Sequence, residues 1–381
     1  MSAFNNMIDF NFKDKCYSCS LCGEVCPTKA ISYDKSLHPI VAVDKCIGCN
    51  LCDRMCIELN HPKKAESILC IEGYIVKNID NEIRKSSSSG GVFFQLVKQI
   101  LDMNGYVCGC IYDDKFMPKH IISNDLETCK KMMGSKYVKS DLAGCISKIK
   151  QLVNNDIYVL FTGVPCQIAA IKKYIKSVNL ITVAVVCHGS IERSIWERYI
   201  LEEVNTKKSN IKSISMRDKS QSCLNYGLRF EFEDSTTHIS YRKTNGYFLK
   251  SFTDGLLERN VCLGCIYKGC NIFSDILLGD AWGMEKILPT FVDDLGCSSI
   301  ITLTERGEEI FNKIKENFLV KKVDVDVIIG NNPRILKPQV KHPFKIRFEK
   351  ELNKPMSNVH LLVEKYAKPT LVNRIIWKIL S

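Results

Sequence analysis

The sequence predicts a mixed α/β (α+β) chain in two parts: a small cysteine-built N-terminal domain, then a larger domain in which strands alternate with helices. Three observations carry this. The spacing of Cys16, Cys19, Cys22 and Cys26 recurs at Cys46, Cys49, Cys52 and Cys56. From Ser86 to Val204, short apolar runs alternate with segments of helical period. Beyond about Asn210 the texture changes to hairpin-like alternation. A chain of 381 residues with 45% hydrophobic content is ample for a large core.

Each cysteine run reads Cys-x2-Cys-x2-Cys-x3-Cys, the first followed by Pro27. Three thiolates on one tight turn cap three corners of an iron–sulfur cube, and the fourth reaches across to a second cube. This is the spacing of a two-cluster bacterial ferredoxin. It assigns Cys16, Cys19, Cys22 and Cys56 to one 4Fe-4S cluster, and Cys46, Cys49, Cys52 and Cys26 to the other. A zinc ribbon needs only two cysteine pairs and has no use for a repeated third cysteine. A disulfide framework suits short secreted chains. Ile57 stands where the second run would carry a proline, a position that shapes the turn and binds no metal. Within this ferredoxin-type domain (1–62), Ala30–Tyr33 and Ile40–Val43 read as short extended pieces. A connector (63–85) follows, with a strand expected over Ile71–Ile79.

The larger domain is expected in two portions, 86–205 and 206–329. Four serines and Gly90-Gly91 lead into a helix from Val92 to Leu101, the serines being good N-cap residues. Tyr106–Tyr112 reads as a strand, Ser140–Asn154 as an amphipathic helix and Ile157–Phe161 as a buried strand. Gln167–Ile175 reads as a helix, Leu180–Val186 as a strand and Ile191–Val204 as a helix. Such alternation implies parallel pairing. Tyr226–Phe232 and Thr237–Arg242 should pair antiparallel around Glu233-Asp234-Ser235. Ile276–Leu278 and Ser298–Leu303 read as strands and Glu305–Asn317 as a helix. The last stretch, 330–381, carries several prolines and reads as loop and short helix. Its apolar Ile375–Leu380 segment is too short to span a bilayer.

The formal charge is +11. Oxidised cubanes held by four thiolates would each subtract about two charges. From Gly330 onward there are eleven Lys and Arg against three Asp and Glu. This basic tail could dock an acidic donor protein, an anionic sugar or a membrane surface; a solvated surface is the plain alternative. Basic and aromatic residues do not interleave as a nucleic-acid platform would, so no nucleic-acid partner is expected. With no apolar export segment and twenty cysteines, the expected compartment is reducing cytoplasm.

A second cysteine constellation lies further on. Cys166, in Gly163-Val164-Pro165-Cys166-Gln167, follows one expected strand; Cys187, in Cys187-His188-Gly189, follows the next. Adjacent parallel strands gather chemistry at their carboxyl ends, and a loop bearing Cys262 and Cys265 could complete a four-thiolate site. Buried cysteines acting as small hydrophobes are the competing reading.

From about Glu82 to Asn317 the chain resembles the coenzyme F-420 hydrogenase/dehydrogenase beta-subunit family. The resemblance is carried by Ser88-Ser89-Gly90-Gly91-Val92-Phe93, Gly134-Ser135-Lys136-Tyr137, Gly163-Val164-Pro165-Cys166-Gln167, Cys187-His188-Gly189 and Arg217-Asp218-Lys219. It continues through Cys262-x2-Cys265, Ser274-Asp275-Ile276-x2-Gly279-Asp280-Ala281-Trp282-Gly283 and Asp294-x-Gly296-x-Ser298. It implies a larger α/β flavin and iron–sulfur domain, with a third 4Fe-4S cluster on Cys166, Cys187, Cys262 and Cys265. It also implies bound FAD, for which Ser88, Ser89, Gly90, Gly91, Ser135, Lys136 and Tyr137 are the candidate contacts. Cys270 falls outside the ligand pattern. Backbone N–H groups at a helix start suit a pyrophosphate; an ordinary capped helix is the bland alternative. Lys136 could pair with a phosphate or the flavin's pyrimidine edge, or be a surface lysine. His188 could bond a sulfide or relay a proton, or be a satisfied structural histidine. Trp282 reads as packing.

The expected function is therefore an FAD and iron–sulfur oxidoreductase, needing anaerobic handling. It would pass electrons between a low-potential ferredoxin or hydrogenase donor and a small-molecule acceptor. The alternatives are a non-catalytic electron-transfer subunit, a reductase associated with polysaccharide biosynthesis, and an iron–sulfur scaffold without flavin.

Overall fold

The two cysteine runs share one backbone pattern in the computed structural model, which describes residues 10–61 and 70–368. Ser18 and Ser20 lie at φ 47° and 62°, and the equivalent Gly48 and Asn50 at 68° and 56°. Left-handed residues at matching positions turn successive N–H groups to the concave side of each loop, the geometry of an anion nest. Each run then enters a short helix, Leu21–Glu24 or Leu51–Met55. Between the runs, strands β1 (Ile31–Tyr33) and β2 (Pro39–Val41) pair antiparallel.

The chain divides into two compact units. The first contains Met1–Gly134, Ser140–Cys187 and Cys265–Lys337; the second contains Ser135–Lys139, His188–Gly264 and Pro338–Ser381.

In the first unit the cysteine-rich segment lies with an eight-stranded sheet. Its strands are β3 (Glu72–Asn78), β4 (Tyr106–Tyr112), β5 (Pro118–Ser123), β6 (Val159–Gly163), β7 (Leu180–Val185), β11 (Ile276–Asp280), β12 (Ser298–Thr302) and β13 (Phe318–Lys322), in the order β13-β3-β12-β11-β7-β6-β4-β5. The central run β11-β7-β6-β4 is parallel, as the alternation of apolar and helical segments implies. β5, β12 and β13 run antiparallel to their neighbours. The core forms where Leu96 and Ile100 of helix Val92–Asp102 and Phe311 of helix Glu305–Ile314 meet Val76, Leu160 and Ile300 of the sheet, all fully buried. Each such side chain contributes about 2 kcal/mol of burial.

The cysteine-rich segment is joined to this domain by polar contacts. Glu24 accepts from the Gly144 and Ser147 N–H groups at the start of helix Cys145–Asn154, the last at 3.1 Å, completing that helix's free donors. Lys173 Nζ donates to the Asn60 carbonyl at 3.2 Å. The helix begins at Cys145 rather than Ser140. Asp141 instead pairs with β5, the His120 N–H donating to its carbonyl at 2.7 Å, and Gly144 at φ 80° turns the chain into the helix.

The second unit carries β8 (Ile211–Asp218), β9 (Gly227–Phe232) and β10 (Thr237–Tyr241) in an antiparallel sheet, β9 and β10 forming the expected hairpin. Trp196 and Tyr199 of helix Arg193–Lys207 are buried against Phe230 and Phe248. Helices Lys345–Leu352 and Val359–Ala367 belong to this core: Phe348 and Val359 are fully buried, and His360 stacks on Tyr199 at 3.9 Å. Between residues 330 and 368 the basic segment is thus packed into this core. Lys345 is buried, donating to the Glu258 carbonyl at 2.6 Å, and Lys365 pairs with Glu351 at 2.7 Å. Ile375–Leu380 lies outside the described residues. Among the described residues no helix is long and apolar enough to cross a membrane.

Candidate redox site

Strand direction brings most of the singled-out motifs of the first unit to one edge of the sheet. β3, β11, β7, β6 and β4 all end on the same side, where β12 begins. Cys166 follows β6, Cys187 follows β7, Asp280 closes β11, and Ser298 opens β12. The Ser88–Gly91 loop returns to the end of β3, where the Asn78 N–H donates to the Gly90 carbonyl at 2.9 Å.

The serine–glycine loop is clasped to the segment before β12. Ser89 Oγ donates to the Cys297 carbonyl at 2.6 Å, and the Gly90 N–H donates to Ser298 Oγ at 2.9 Å. A side chain at Gly90 would lie 2.6 Å from the Val76 carbonyl and 2.7 Å from the Ser298 nitrogen. Close backbone approach therefore dictates this glycine. Gly91, at φ 86°, turns the chain into helix Val92–Asp102. Asp293 braces the other side: Lys77 pairs with it at 2.9 Å, and Arg84 binds both its carboxylate and, at 3.0 Å, the Gly296 carbonyl. Against the upward push of burial, these two cations hold the Asp293 carboxyl below its ordinary range.

Cys166 sits in the first turn of helix Pro165–Tyr174, oriented by a cap in which the Val164 N–H donates to Gln167 Oε1 at 3.1 Å and Gln167 donates on to Ser140 Oγ at 2.9 Å. Next to it in the sheet, the Val186 N–H donates to the Leu278 carbonyl at 2.8 Å, fixing the chain before Cys187. Lys268 Nζ binds the Cys187 carbonyl and, at 2.8 Å, the Arg334 carbonyl. Cys265 belongs to the same unit. Cys262, in the short helix Asn260–Leu263, belongs to the second.

In the cysteine-rich segment, Cys56 lies within electrostatic reach of Cys16, Cys19 and Cys22, the grouping that crossover ligation requires. Burial, then the neighbouring thiols, pushes Cys19 up; burial pushes Cys22 up to about 12. Buried thiols crowded together resist ionisation, and iron is the charge that reverses this. Backbone donors face the sulfurs: the Ser18 N–H reaches Cys16 Sγ and the Ala30 N–H reaches Cys26 Sγ, each at 3.3 Å. Among the described residues no three His, Cys, Asp or Glu side chains close on a single ion; a cube takes its sulfurs at four separate corners, a wider arrangement. The donor set and its N–H···S bonds fit a 4Fe-4S cluster. In the second run Cys46 and Cys49 are exposed, as are the neighbouring Val43 and Ile47, at 73% and 67%.

Two tyrosines unremarked in the sequence stand between these groups. Tyr17 and Tyr267 pack edge to face, their ring centroids 5.0 Å apart. Tyr17 lies within electrostatic reach of Cys265 and Cys166, and Tyr267 of Cys166, Cys19, Cys265 and Cys56. The Tyr267 hydroxyl donates to the Ile57 carbonyl at 2.8 Å, and the Ile266 N–H to the Tyr17 hydroxyl at 3.4 Å. Burial pushes both phenols well above their ordinary range. The only sequence signal was adjacency, since each follows a cysteine by one or two positions.

Ser135, Lys136, Tyr137 and His188 belong to the second unit. Tyr137 stacks on Phe252 at 4.8 Å and its N–H reaches Met216 Sδ, so this ring helps hold its own unit together. Glu258, also missed, is 1% exposed, and neither carboxylate oxygen has a hydrogen-bond partner among the described residues. Burial pushes its carboxyl up to about 8. Its side chain packs on the residue after His188: a side chain at Gly189 would lie 2.6 Å from Glu258 Cγ.

Residues 157–327 match the family model for the C-terminal part of the coenzyme F420 hydrogenase/dehydrogenase beta subunit. No curated protein matches the chain. Among solved structures, a chain of the F420-reducing [NiFe] hydrogenase complex from Methanosarcina barkeri shares the fold, with a TM-score of 0.50 at 18% identity, over 78% of this chain and 98% of that one. The matched stretch, residues 157–327, carries β6, β7, β11 and β12 with Cys166, Cys187, Cys262 and Cys265, and over it the chain is similar to the coenzyme F420 hydrogenase/dehydrogenase beta subunit.

Proposed function

We propose that this chain is an iron–sulfur flavoprotein oxidoreductase that passes electrons between a low-potential protein donor, a ferredoxin or hydrogenase, and an organic acceptor. The carrying observation is that Tyr267, in ring contact with Tyr17 and bonded to the Ile57 carbonyl beside Cys56, lies within reach of Cys19 and Cys56 on one side and of Cys166 and Cys265 of the sheet edge on the other. In this reading Cys46, Cys49, Cys52 and Cys26 hold the second cluster, and Cys166, Cys187, Cys262 and Cys265 a third. FAD, when bound, would convert one-electron supply into two-electron chemistry. The first-turn N–H groups of helix Val92–Asp102, behind Gly91, are the donors available to its pyrophosphate. Lys136 supplies a cation for the same ligand. Glu258, protonated at neutral pH, and His188 are the groups that would hold protons for the acceptor.

Anaerobically purified protein tests this directly. The expected result is about twelve irons per chain and a yellow chromophore released on denaturation. About eight irons and no flavin would reject it. The exposure of Cys46 and Cys49 also suits a second reading, a non-catalytic subunit that only relays electrons to a partner enzyme. Turnover of a small acceptor by the isolated protein with reduced ferredoxin separates the two.

A further inference from the structure

We propose that the clusters form a wire of fixed order, in which the cluster on Cys16, Cys19, Cys22 and Cys56 is the one relay to the inner cluster, across the Tyr17–Tyr267 contact, while the cluster on Cys46, Cys49, Cys52 and Cys26 is the outer terminal. This rests on the three-cluster reading above and adds to it an order that spacing alone does not contain. The two ferredoxin-type runs are equivalent in sequence and in backbone, so either could face the inner site. The packing breaks that equivalence.

Tyr267 lies within reach of one cysteine pair from each side: Cys19 and Cys56 of the first set, Cys166 and Cys265 of the inner set. Tyr17 directly follows Cys16, Tyr267 follows Cys265 by two positions, and the Tyr267 hydroxyl donates to the carbonyl of Ile57, next to Cys56. Both tyrosines are buried, at 5% and 1% exposure, and their rings are in contact. Lys173, which holds Asn60, also lies within reach of Cys56 and Cys19. By contrast, Cys46 and Cys49 are exposed among exposed Val43 and Ile47. One end of the ferredoxin-type segment is sealed against the sheet domain and the other is open to solvent.

Chemically the step is a bare electron transfer. Cys16, Cys19, Cys22 and Cys56 would hold the cluster that gives one electron, and Cys166, Cys187, Cys262 and Cys265 the one that gains it, with no proton or bond moved. Tyr17 and Tyr267 are positioning residues: they exclude water and hold the two cysteine sets together, staying closed-shell phenols throughout. The Tyr267 hydroxyl fixes the contact through Ile57, the residue directly after Cys56.

The test reads magnetic coupling, which does not depend on turnover. Dithionite-reduced holoprotein should show spin–spin broadening of the inner-cluster signal. Cys16→Ser should abolish that broadening, leaving an isolated inner-cluster signal, whereas Cys46→Ser should retain it. The reverse pattern overturns the order. Should Cys16→Ser fail to assemble, Tyr267→Leu and Tyr267→Phe serve instead. Loss of coupling and slowed inner-cluster reduction in Tyr267→Leu, with coupling kept in Tyr267→Phe, support the relay. Coupling unchanged in Tyr267→Leu overturns it. Iron content separates the two levels of failure: about twelve irons with the reversed pattern rejects only the order, while about eight in the unaltered protein rejects the three-cluster reading and the order with it.

Discussion

Tyr17 and Tyr267 meet edge to face at 79°, with ring centroids 5.0 Å apart, and join the first cysteine loop to the segment that carries Cys265. Both rings are buried, so the contact is part of the packed interior. Edge-to-face pairs add about 1 kcal/mol beyond their buried area. Truncation at Tyr267 also leaves the Ile57 carbonyl without its donor. Tyr267→Ala should therefore cost about 3–5 kcal/mol, and Tyr267→Phe about 1 kcal/mol. Denaturant unfolding of the anaerobic protein would check both; equal losses would show that the ring contributes nothing beyond its hydroxyl.

Crossover ligation, part of the proposed function, would give an uneven outcome for cysteine variants. Cys56 is grouped with Cys16, Cys19 and Cys22, although it sits in the second run. Cys56→Ala should thus remove about four irons and the spectral signal that Cys16→Ser also removes, while leaving the one that Cys46→Ser removes. If the Cys56 and Cys46 variants lost the same signal, each run would hold its own cluster.

Much of this fold was legible because two periods speak clearly. Val92–Asp102 has a single apolar face, and β6 and β7 are short apolar runs that only a covered parallel strand accommodates. What stayed hidden has physical causes. β5 carries Lys119 and His120 at a sheet edge, and β13, another edge strand, ends in Lys321 and Lys322, so neither shows apolar alternation. β8 is read as texture until β9 pairs with it. The grouping of Cys56 with Cys16, Cys19 and Cys22 was legible because cysteine spacing is itself geometry. Tyr267, Lys268 and Glu258 were not, since their meaning comes from partners far along the chain.

Asp275 illustrates a motif residue with a structural task. It is 4% exposed; one oxygen accepts the Thr182 N–H at 2.8 Å and its hydroxyl at 2.6 Å, and the other accepts Thr304 Oγ1 at 3.0 Å. It ties β7 to β11 and to the end of β12. Asp275→Ala strands these buried donors and should destabilise the protein by about 3 kcal/mol or more. Asp275→Asn, which keeps one acceptor, should lose less. Thermal unfolding decides, and a neutral Asp275→Ala would contradict the clasp.

His342 gives stability a pH dependence. It is 3% exposed, its Nδ1 accepts the Phe344 N–H at 3.1 Å, and burial lowers its pKa from 6.5 to about 4. Asp254 opposes that shift while Lys250 and Lys345 add to it. Below pH 6.5 the unfolded chain takes a proton that the folded chain refuses, so stability falls as pH drops from 6.5 toward 4. The full effect is about 3 kcal/mol, at roughly 1.4 kcal/mol per pH unit. His342→Asn, which keeps an acceptor for Phe344, should flatten that part of the stability profile. An unchanged slope between these limits would mean the imidazole titrates freely in the folded protein.

Lys268 sets the charge beside the inner cysteines. It is buried at 9% exposure and donates to the carbonyls of Cys187 and Arg334. A cation held this close stabilises added negative charge, so it favours the reduced form of any cluster on Cys187. Lys268→Met keeps the buried stem but removes the charge and both donated hydrogen bonds. In the three-cluster reading proposed above, the reduction potential of a cluster on Cys187 should shift negative by tens of millivolts, on the order expected for one partly screened charge, while clusters on the N-terminal cysteines would keep theirs. The variant should also unfold about 1–3 kcal/mol more easily. Potentiometric titration followed by electron paramagnetic resonance would resolve the three signals that this reading requires. A negative shift confined to the inner signal is the expected outcome; a shift shared by all three would mean that Lys268 acts through global structure and not through its charge.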